Sequence, residues 1–202
     1  MRVTKAQAEQ NRAHIVATAA RLFRERGYDG VGVAELMAAA GFTHGGFYKH
    51  FRSKADLMAE ASTNGLSQTA ARAEGLGPAE FVESYVSRDH RDGRGEGCTI
   101  AALSGDAARQ PADLKGEFAA GIENLLTALR TQADTPGDAD QRAARTMMID
   151  MLAHAVGAIM LSRACPDGSP LADEILDVCR KEILTSLAHG LSDRPAARSP
   201  EV

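Results

Sequence analysis

The sequence predicts an all-α protein, because apolar residues recur at helical spacing along most of its 202 residues. Clusters of Gly and Pro separate the helical stretches, and no stretch alternates apolar and polar residues convincingly enough to predict a strand. The charge is divided unevenly: residues 1–60 hold nine Lys/Arg and six Asp/Glu, a net of +3, whereas residues 61–202 carry −7. We therefore expect a small basic helical module followed by a larger acidic bundle, with about nine helices in all.

The basic module begins with two helices, each of which has one apolar face. In the first helix the apolar residues are Ile15, Val16, Ala19, Leu22 and Phe23, and in the second they are Val33, Leu36, Met37 and Ala40. Gly27 is the expected stop of the first helix, because glycine readily adopts the conformation found after a helix C-terminus. Gly32 is the expected N-cap of the second helix, and Gly41 is its expected end.

A tight connection, Gly41-Phe42-Thr43, joins the second helix to a third, which is the plan of a helix-turn-helix. Thr43 is the expected N-cap of the third helix, and Phe47 and Phe51 are expected to face the core. A capping box from Ser53 to Asp56 predicts that a fourth helix begins near residue 54 and continues to about 74.

The punctuation beyond this module predicts the helices of the acidic bundle. Pro78 suits the first turn of a helix over about 78–88. Residues 88–97 are polar and glycine-rich, which predicts a mobile loop. Further helices are expected at about 98–109, 112–133, 139–164 and 170–190, and residues 192–202 are expected to form a flexible tail.

The third helix has a composition that indicates DNA binding. Gly45 and Gly46 each cost about 1 kcal/mol relative to Ala in a helix, so helix propensity does not account for them, whereas close approach to another surface does. In a major groove, His44 and Lys49 would be placed to donate to guanine, with other side chains and backbone amides on phosphates. The candidate DNA contacts are Thr43, His44, Gly45, Gly46, Tyr48, Lys49, His50 and Lys54. For His50, local capping and packing is an equally good explanation.

Residues 41–57, GFTHGGFYKHFRSKADL, resemble the signature of tetracycline-repressor (TetR/AcrR) family regulators, which reads roughly G-V-S-x-G-x-F-Y-x-H-F-x-S-K-x-x-L. The stretches Ala19–Phe23 and Arg26–Gly30 are similar to the first helix and following turn of that family. Gly32 departs from the pattern, because the family usually has a Thr or Ser there that caps the helix and often contacts phosphate. The resemblance covers about 50 residues.

The resemblance implies a cytoplasmic bacterial regulator, more often a repressor, that binds a palindromic operator as a homodimer. In such proteins a small-molecule effector enters the C-terminal domain and releases the DNA. We accordingly expect a DNA-binding domain over 1–55 and a ligand-binding and dimerisation domain over 56–191. The last two helices would pair with those of a second subunit, and the broad apolar stripes in 143–160 and 171–191 favour that arrangement.

Two further hypotheses concern the acidic bundle. The candidate residues of an effector pocket are Phe81, Tyr85, Phe118, Ile122, Met147, Met151 and His154. Core or dimer packing is the more frequent role of methionines in this pattern, and a buried, hydrogen-bonded imidazole is the more frequent role of such a histidine. Cys98 follows Gly97 at a predicted helix start near Arg94, where a thiol that senses oxidants or electrophiles would be placed. A small buried residue that opens the helix has the same sequence pattern.

Other classes of protein find little support in the sequence. It lacks H-E-x-x-H, a Walker A lysine and G-x-S-x-G, so we expect no catalytic site and no cofactor. Three dispersed cysteines predict neither a disulfide framework nor a metal site, and no apolar run approaches the ~20 residues of a membrane span. Two alternatives stay open: a helical ligand-binding or redox-sensing protein that acts without DNA, and a helical-bundle enzyme that turns over its ligand.

Overall fold

The computed structural model describes residues 4–129 and 138–192, and every regular element in these two ranges is helical. The all-α prediction is therefore confirmed. The α-helices are α1 Lys5–Arg26, α2 Val33–Ala39, α3 Lys54–Ala73, α4 Pro78–Tyr85, α5 Arg88–Asp92, α6 Thr99–Ala107, α7 Ala112–Ala128, α8 Asp138–Ala164 and α9 Pro170–Ser192. Two 3-10 helices are present, His44–Lys49 and Arg94–Glu96. All of the predicted tail after Ser192 lies outside the described residues.

The N-terminal module consists of α1, α2 and the first 3-10 helix packed around aromatic side chains. Phe23, Tyr28, Phe47 and Phe51 are all at most 2% exposed. The rings of Phe23 and Tyr28 meet edge-on with centroids 5.2 Å apart, and those of Phe47 and Phe51 are 5.5 Å apart. Gly27 ends α1 with a φ of 73°, as expected for a helix stop. Because aromatic side chains bury a large area each, four of them form a core for about 50 residues.

The third helix differs from the prediction. His44–Lys49 is a 3-10 helix, and the Thr43 side chain makes no capping hydrogen bond. The Thr43 carbonyl instead accepts from the Gly46 N–H at 2.9 Å. Two glycines in so short a segment favour this tighter turn over an α-helix, because glycine weakens the α-helix by about 1 kcal/mol per residue. The start of α3 is as predicted, since the Ser53 hydroxyl accepts from the Asp56 N–H at 3.1 Å.

The C-terminal bundle is organised around α3 and the last two helices. The long helix α3 packs against α1 on one side and α7 on the other, so it touches both parts of the molecule. Helices α8 and α9 form an antiparallel pair, and α4 packs against both. Because α3 spans the predicted boundary at residues 55 and 56, the division into two domains at that point stays a prediction.

The prediction of a mobile loop over 88–97 is wrong. Its residues form α5 and the 3-10 helix Arg94–Glu96, and Ser87 caps α5 by accepting from the His90 N–H at 3.2 Å. Arg91, which is only 1% exposed, donates to the carbonyls of Ser162 and Cys165 at 3.2 and 3.3 Å. The polar composition of this segment predicts exposure to solvent. Arg91 is buried instead, because the tertiary fold brings backbone carbonyls from the end of α8 close to its guanidinium.

One helix is more apolar than the sequence analysis expected. Residues 141–164 within α8 are long and apolar enough to cross a membrane by length and composition alone. The core helix of a soluble bundle passes the same test, and α8 contributes Met148, Met151, Leu152 and Ile159 to the buried core. Its apolar character therefore belongs to the bundle and to the outer face described below.

Candidate nucleic-acid interface and internal cavity

The 3-10 helix His44–Lys49 presents one apolar face to the core and one polar face to solvent. Phe47 lies beneath it and is 1% exposed, whereas the Tyr48 ring is 70% exposed. The side chains of Thr43, His44 and Lys49 are also exposed. The predicted contacts at positions 43–49 therefore lie together on one surface of the basic module.

The two glycines of this surface are not required by the packing of the chain itself. A Cβ at Gly45 would meet no atom within 4 Å, and one at Gly46 would make ordinary contacts of 3.6 Å with Met37 Cε and 3.7 Å with Thr43 Oγ1. Neither Gly45 nor Gly46 has a positive φ, so the backbone conformation does not require glycine at either position. Packing within the chain therefore does not account for the missing side chains at these two positions.

Lys54 and His50, at the edge of the same surface, make contacts within the chain. The ammonium of Lys54 donates to the Tyr28 carbonyl at 2.6 Å and so ties the start of α3 to the turn after α1. The half-buried His50 ring lies near the rings of Phe42 and Phe51, with centroid distances of 6.4 and 6.2 Å. These contacts favour local packing for His50 and occupy one of the three Lys54 donors, so the predicted phosphate contacts of both residues stay predictions.

Arg52 adds a cationic side chain beside this surface, although it is not among the predicted DNA contacts. Its side chain is 91% exposed and pairs with the Asp56 carboxylate at 3.0 Å. That carboxylate also accepts from the Arg52 N–H at 3.1 Å, and these hydrogen bonds lower the pKa of Asp56. The spacing of four residues between Arg52 and Asp56 could have predicted this ion pair from the sequence.

The bundle contains a cavity of about 170 Å³ between α3, α4 and the segment that leads into α6. Two of the predicted pocket residues, Phe81 and Tyr85, line it, and so does Cys98. The remaining lining residues are Thr69, Arg72, Ala73, Leu76, Ser84, His90, Glu96 and Gly97. The structure thus places the predicted thiol and two of the predicted pocket aromatics around a single space.

Tyr85 brings an unsatisfied polar group to this cavity. The residue is 6% exposed, and apart from the neighbouring Cys98 thiol its hydroxyl has no hydrogen-bond partner among the described residues. Burial, followed by the neighbouring Cys98 thiol, raises the pKa of the Tyr85 hydroxyl well above its usual range. A buried hydroxyl without a partner is costly, so a ligand that supplies one would be favoured.

The other predicted pocket residues lie elsewhere. Phe118 and Met151 are buried in the bundle core, and Ile122 and Met147 are half-buried against it. The prediction that His154 lines a pocket or is buried is wrong, because its side chain is exposed on the outer face of α8. The pattern of apolar neighbours suggested burial, whereas the apolar residues on that side of α8 are themselves exposed.

This outer face is the main exposed apolar surface. Among the described residues the exposed large apolar side chains are Tyr48 and five residues of the last two α-helices, namely Ile149, Met160, Leu161, Leu171 and Val178. Their exposed fractions range from 41% for Met160 to 60% for Leu161. An apolar surface shared by two long neighbouring helices is typical of a subunit interface. No group of three or more metal-binding side chains comes together in the described ranges.

Comparison with known proteins assigns the N-terminal module. Residues 15–61 match the family model described as bacterial regulatory proteins, tetR family. The HTH-type transcriptional regulator AcrR of Shigella flexneri is 42% identical over 59 residues, which are 29% of this chain and 27% of that protein. The HTH-type transcriptional repressor DhaR of Mycobacterium sp. (strain GP1) is 31% identical over 100 residues, 46% of this chain and 50% of that protein. The matches thus span about a quarter to a half of these relatives, which are named as regulators and not as enzymes.

Solved structures extend the likeness to the rest of the fold. A TetR transcriptional regulator from Chloroflexus aurantiacus J-10-FL superposes with a TM-score of 0.67 at 22% identity, over 91% of this chain and 96% of that one. The reduced form of E. coli NemR superposes with a TM-score of 0.64 at 20% identity, over 87% and 96%. Residues 15–61 therefore match the tetR family of bacterial regulatory proteins, and the chain as a whole has the fold of these solved structures.

Proposed function

We propose that this protein is a ligand-responsive transcriptional regulator, a repressor that binds a palindromic operator as a homodimer in the bacterial cytoplasm. The observation that carries the proposal is the exposed surface of the 3-10 helix His44–Lys49, where two sterically unneeded glycines adjoin exposed His44, Tyr48 and Lys49. Without side chains at 45 and 46, the backbone can approach bases or phosphates closely. His44 and Lys49 then supply donors for guanine, and Tyr48 and Thr43 supply phosphate contacts.

The homodimer is supported by the exposed apolar face of α8 and α9. Such a face is rare on a monomer and costs free energy when it is left in water. Pairing of these helices with the same helices of a second subunit buries this face in a two-fold interface. The two DNA-binding surfaces would then have to lie about 34 Å apart to enter successive major grooves.

The effector site is supported by the cavity beside Tyr85. Its 170 Å³ is similar to the engineered cavity of about 150 Å³ that binds benzene, so a single-ring molecule fits. Phe81 and Leu76 provide apolar walls, and the unsatisfied Tyr85 hydroxyl requires one polar group from the ligand. We propose a small neutral ring compound with one hydrogen-bonding substituent as the effector class.

A second candidate function, thiol-based sensing through Cys98, is favoured by the position of this residue. Cys98 is the N-cap of α6 and lines the same cavity, although its side chain is only 4% exposed. An oxidant or electrophile would therefore reach the thiol through the cavity. Exposure to hydrogen peroxide, followed by mass spectrometry and a DNA-binding assay, tests this role, with Cys98→Ser as the unreactive control. An unmodified Cys98, or unchanged DNA binding after modification, would exclude it.

The DNA-binding function is tested by a footprint on the DNA upstream of the protein's own coding region. We expect a protected, two-fold symmetric site, and the fragment that carries it serves as the operator below. Lys49→Ala and Tyr48→Ala should each weaken operator binding about tenfold or more while the dimer persists. Arg145→Ala removes an exposed ion pair with Glu123 far from that surface and should leave binding unchanged. Only weak, sequence-independent binding would contradict the proposal.

A further inference from the structure

The segment from Tyr85 to Cys98 is held through its backbone carbonyls by arginines of several helices. Arg24 of α1 donates to the Gly95 carbonyl from Nε at 2.8 Å and also from Nη2. Arg72 of α3 donates to the Glu96 carbonyl. Arg163 of α8 donates to the carbonyls of His90 and Arg91 at 2.6 and 2.9 Å. One short segment is therefore bonded at once to the DNA-binding module, to α3 and to the helix of the outer apolar face.

The same segment forms one wall of the cavity, through His90, Glu96, Gly97 and Cys98. On the side away from the cavity the segment lies against α1. A Cβ at Gly95 would lie 2.3 Å from Glu25 Oε1 and 3.0 Å from Arg21 Cγ, both on α1. The wall of the cavity and the end of α1 are therefore neighbours.

The burial of the Arg24 guanidinium is energetically unfavourable. The residue is 6% exposed, and burial lowers the pKa of its guanidinium. Neighbouring arginines of α1 pair with carboxylates, namely Arg12 with Glu60, Arg21 with Glu25 and Arg26 with Glu35, whereas Arg24 has no such ion pair in the described part of the chain. An apolar residue would avoid the cost of desolvating the charge. The guanidinium instead donates two hydrogen bonds, from Nε and Nη2, to the Gly95 carbonyl of the cavity segment.

The end of α1 is in turn linked to the start of α3, which lies at the edge of the DNA-binding surface. Phe23, next to Arg24, packs edge-on against Tyr28, and the Tyr28 carbonyl accepts from Lys54 at the start of α3. A second link from this end of α1 runs from the Tyr28 N–H to the Asp106 carboxylate of α6 at 3.2 Å. Asp106 does not line the cavity, whereas Gly95 directly precedes three of its lining residues. Of these two links from the end of α1, the Arg24 link is the one that adjoins the cavity.

We propose that Arg24 is the positioning residue through which occupancy of the cavity sets the orientation of the DNA-binding module. The proposal rests on the proposed function, and it adds the route by which the cavity and the operator affect one another. A ligand that displaces Glu96–Cys98 shifts the Gly95 carbonyl, and Arg24 carries that shift to α1. Without Arg24, the cavity can be filled with little consequence for DNA binding.

The test fills the cavity by substitution, so that no natural effector is needed. Ala73→Met adds bulk from the α3 wall, and Ser84→Phe adds it from the more exposed α4 rim, where folding tolerates it better. Each is made with Arg24 intact and with Arg24→Met, and operator affinity is measured by fluorescence anisotropy. With Arg24 intact, we expect a filled cavity to weaken operator binding about tenfold or more. With Arg24→Met, the same substitutions should change it less than about threefold.

Two further variants make the comparison specific. Arg24→Lys retains a donor for the Gly95 carbonyl, so we expect an intermediate effect of cavity filling, and this variant carries the test if Arg24→Met does not bind the operator. Arg145→Met removes an arginine from an exposed ion pair within the bundle and should leave the full effect of cavity filling. Circular dichroism and gel filtration of each variant exclude loss of fold or of the dimer as the cause.

The outcomes separate this proposal from the proposed function. Equal weakening with and without Arg24 would overturn the role of Arg24, and so would the absence of any weakening by both cavity substitutions in the Arg24-intact chain. In either case the unsubstituted protein still binds its operator. If the unsubstituted protein binds no specific site, the proposed function itself fails, and the role of Arg24 fails with it.

Discussion

The imidazole of His90 accepts a hydrogen bond at Nε2 from the backbone N–H of Cys98, at 3.0 Å. Its other nitrogen, Nδ1, lies 2.7 Å from the Tyr85 carbonyl. An amide N–H only donates and a carbonyl only accepts, so Nε2 carries no proton and Nδ1 carries one. The ring is therefore neutral, and it bridges the end of α4 to the start of α6 across one side of the cavity.

The first prediction is that protonation of His90 destabilises the protein at acidic pH. Burial lowers the pKa of His90 from 6.5 to about 4, so the unfolded chain binds a proton more readily than the folded chain. The stabilisation is complete above pH 6.5 and is lost as the pH falls towards 4, by about 3 kcal/mol at most. Urea unfolding at pH 7, 6 and 5 measures this loss.

The control for this pH dependence is a neutral side chain at the same position. In His90→Gln an amide can accept from the Cys98 N–H and donate to the Tyr85 carbonyl without titrating, so the loss of stability on acidification should be smaller. His44→Gln removes an exposed imidazole of the proposed DNA-binding surface and should leave the pH dependence as it is. A pH dependence identical in all three chains would show that His90 titrates as it does in the unfolded chain.

The second prediction concerns the contact between α3 and α7. A Cβ at Gly121 would lie 2.8 Å from Leu66 Cβ and 2.6 Å from its Cδ1, so Gly121→Ala forces these two helices apart. We expect a loss of about 1–3 kcal/mol in the free energy of unfolding. Gly116→Ala, on the same helix, is the matched control, because a Cβ at that position meets no atom within 4 Å. It should be neutral or stabilise by up to about 1 kcal/mol through helix propensity. Thermal and urea unfolding compare the two, and equal effects would refute the close packing.

Sequence periodicity predicted most helix positions, because the residues that define each helical stripe lie close together in the chain. Phe47 and Phe51, for example, are buried as their spacing predicted. At 100° per residue the same spacing puts Gly45 and Lys49 on the face opposite this core, and both are exposed. The helix of His44–Lys49 was predicted as an α-helix, since spacing alone does not distinguish it from a short 3-10 helix.

The cavity was less predictable, since it depends on contacts between distant parts of the chain. Nothing in the residues near Gly95 shows that Arg24, 71 positions earlier, binds its carbonyl. Residues 88–97 were predicted as a loop from their polar composition, because the contacts that order them come from distant parts of the chain. His154 was misplaced because an apolar stretch has the same pattern whether it faces the core or an outer apolar face.

The third prediction is that charge on the outer face of α8 separates the proposed dimer. Ile149→Glu combined with Leu161→Glu places two carboxylates on an apolar face whose side chains are 45% and 60% exposed in the single chain. Burial of unpaired charges in an interface is unfavourable, so sedimentation should give the monomer mass. Operator affinity should fall about tenfold or more, because one subunit contacts only one half-site. Ala120→Glu adds a carboxylate to an exposed position of α7 and should leave the dimer intact. A stable double-glutamate dimer would place the interface elsewhere.

The fourth prediction separates DNA contact from folding at Gly45. A Cβ at this position meets no atom within 4 Å, so Gly45→Leu should leave the thermal midpoint unchanged or slightly raised. If the backbone at 45 approaches DNA closely, the same leucine keeps the two surfaces apart and weakens operator binding about thirtyfold or more. Gly105→Leu is the matched control, since a Cβ at that exposed position of α6 also meets nothing within 4 Å. Both variants should fold alike, and only the variant at position 45 should lose the operator. Undiminished operator affinity of Gly45→Leu would mean that the DNA lies against a different surface.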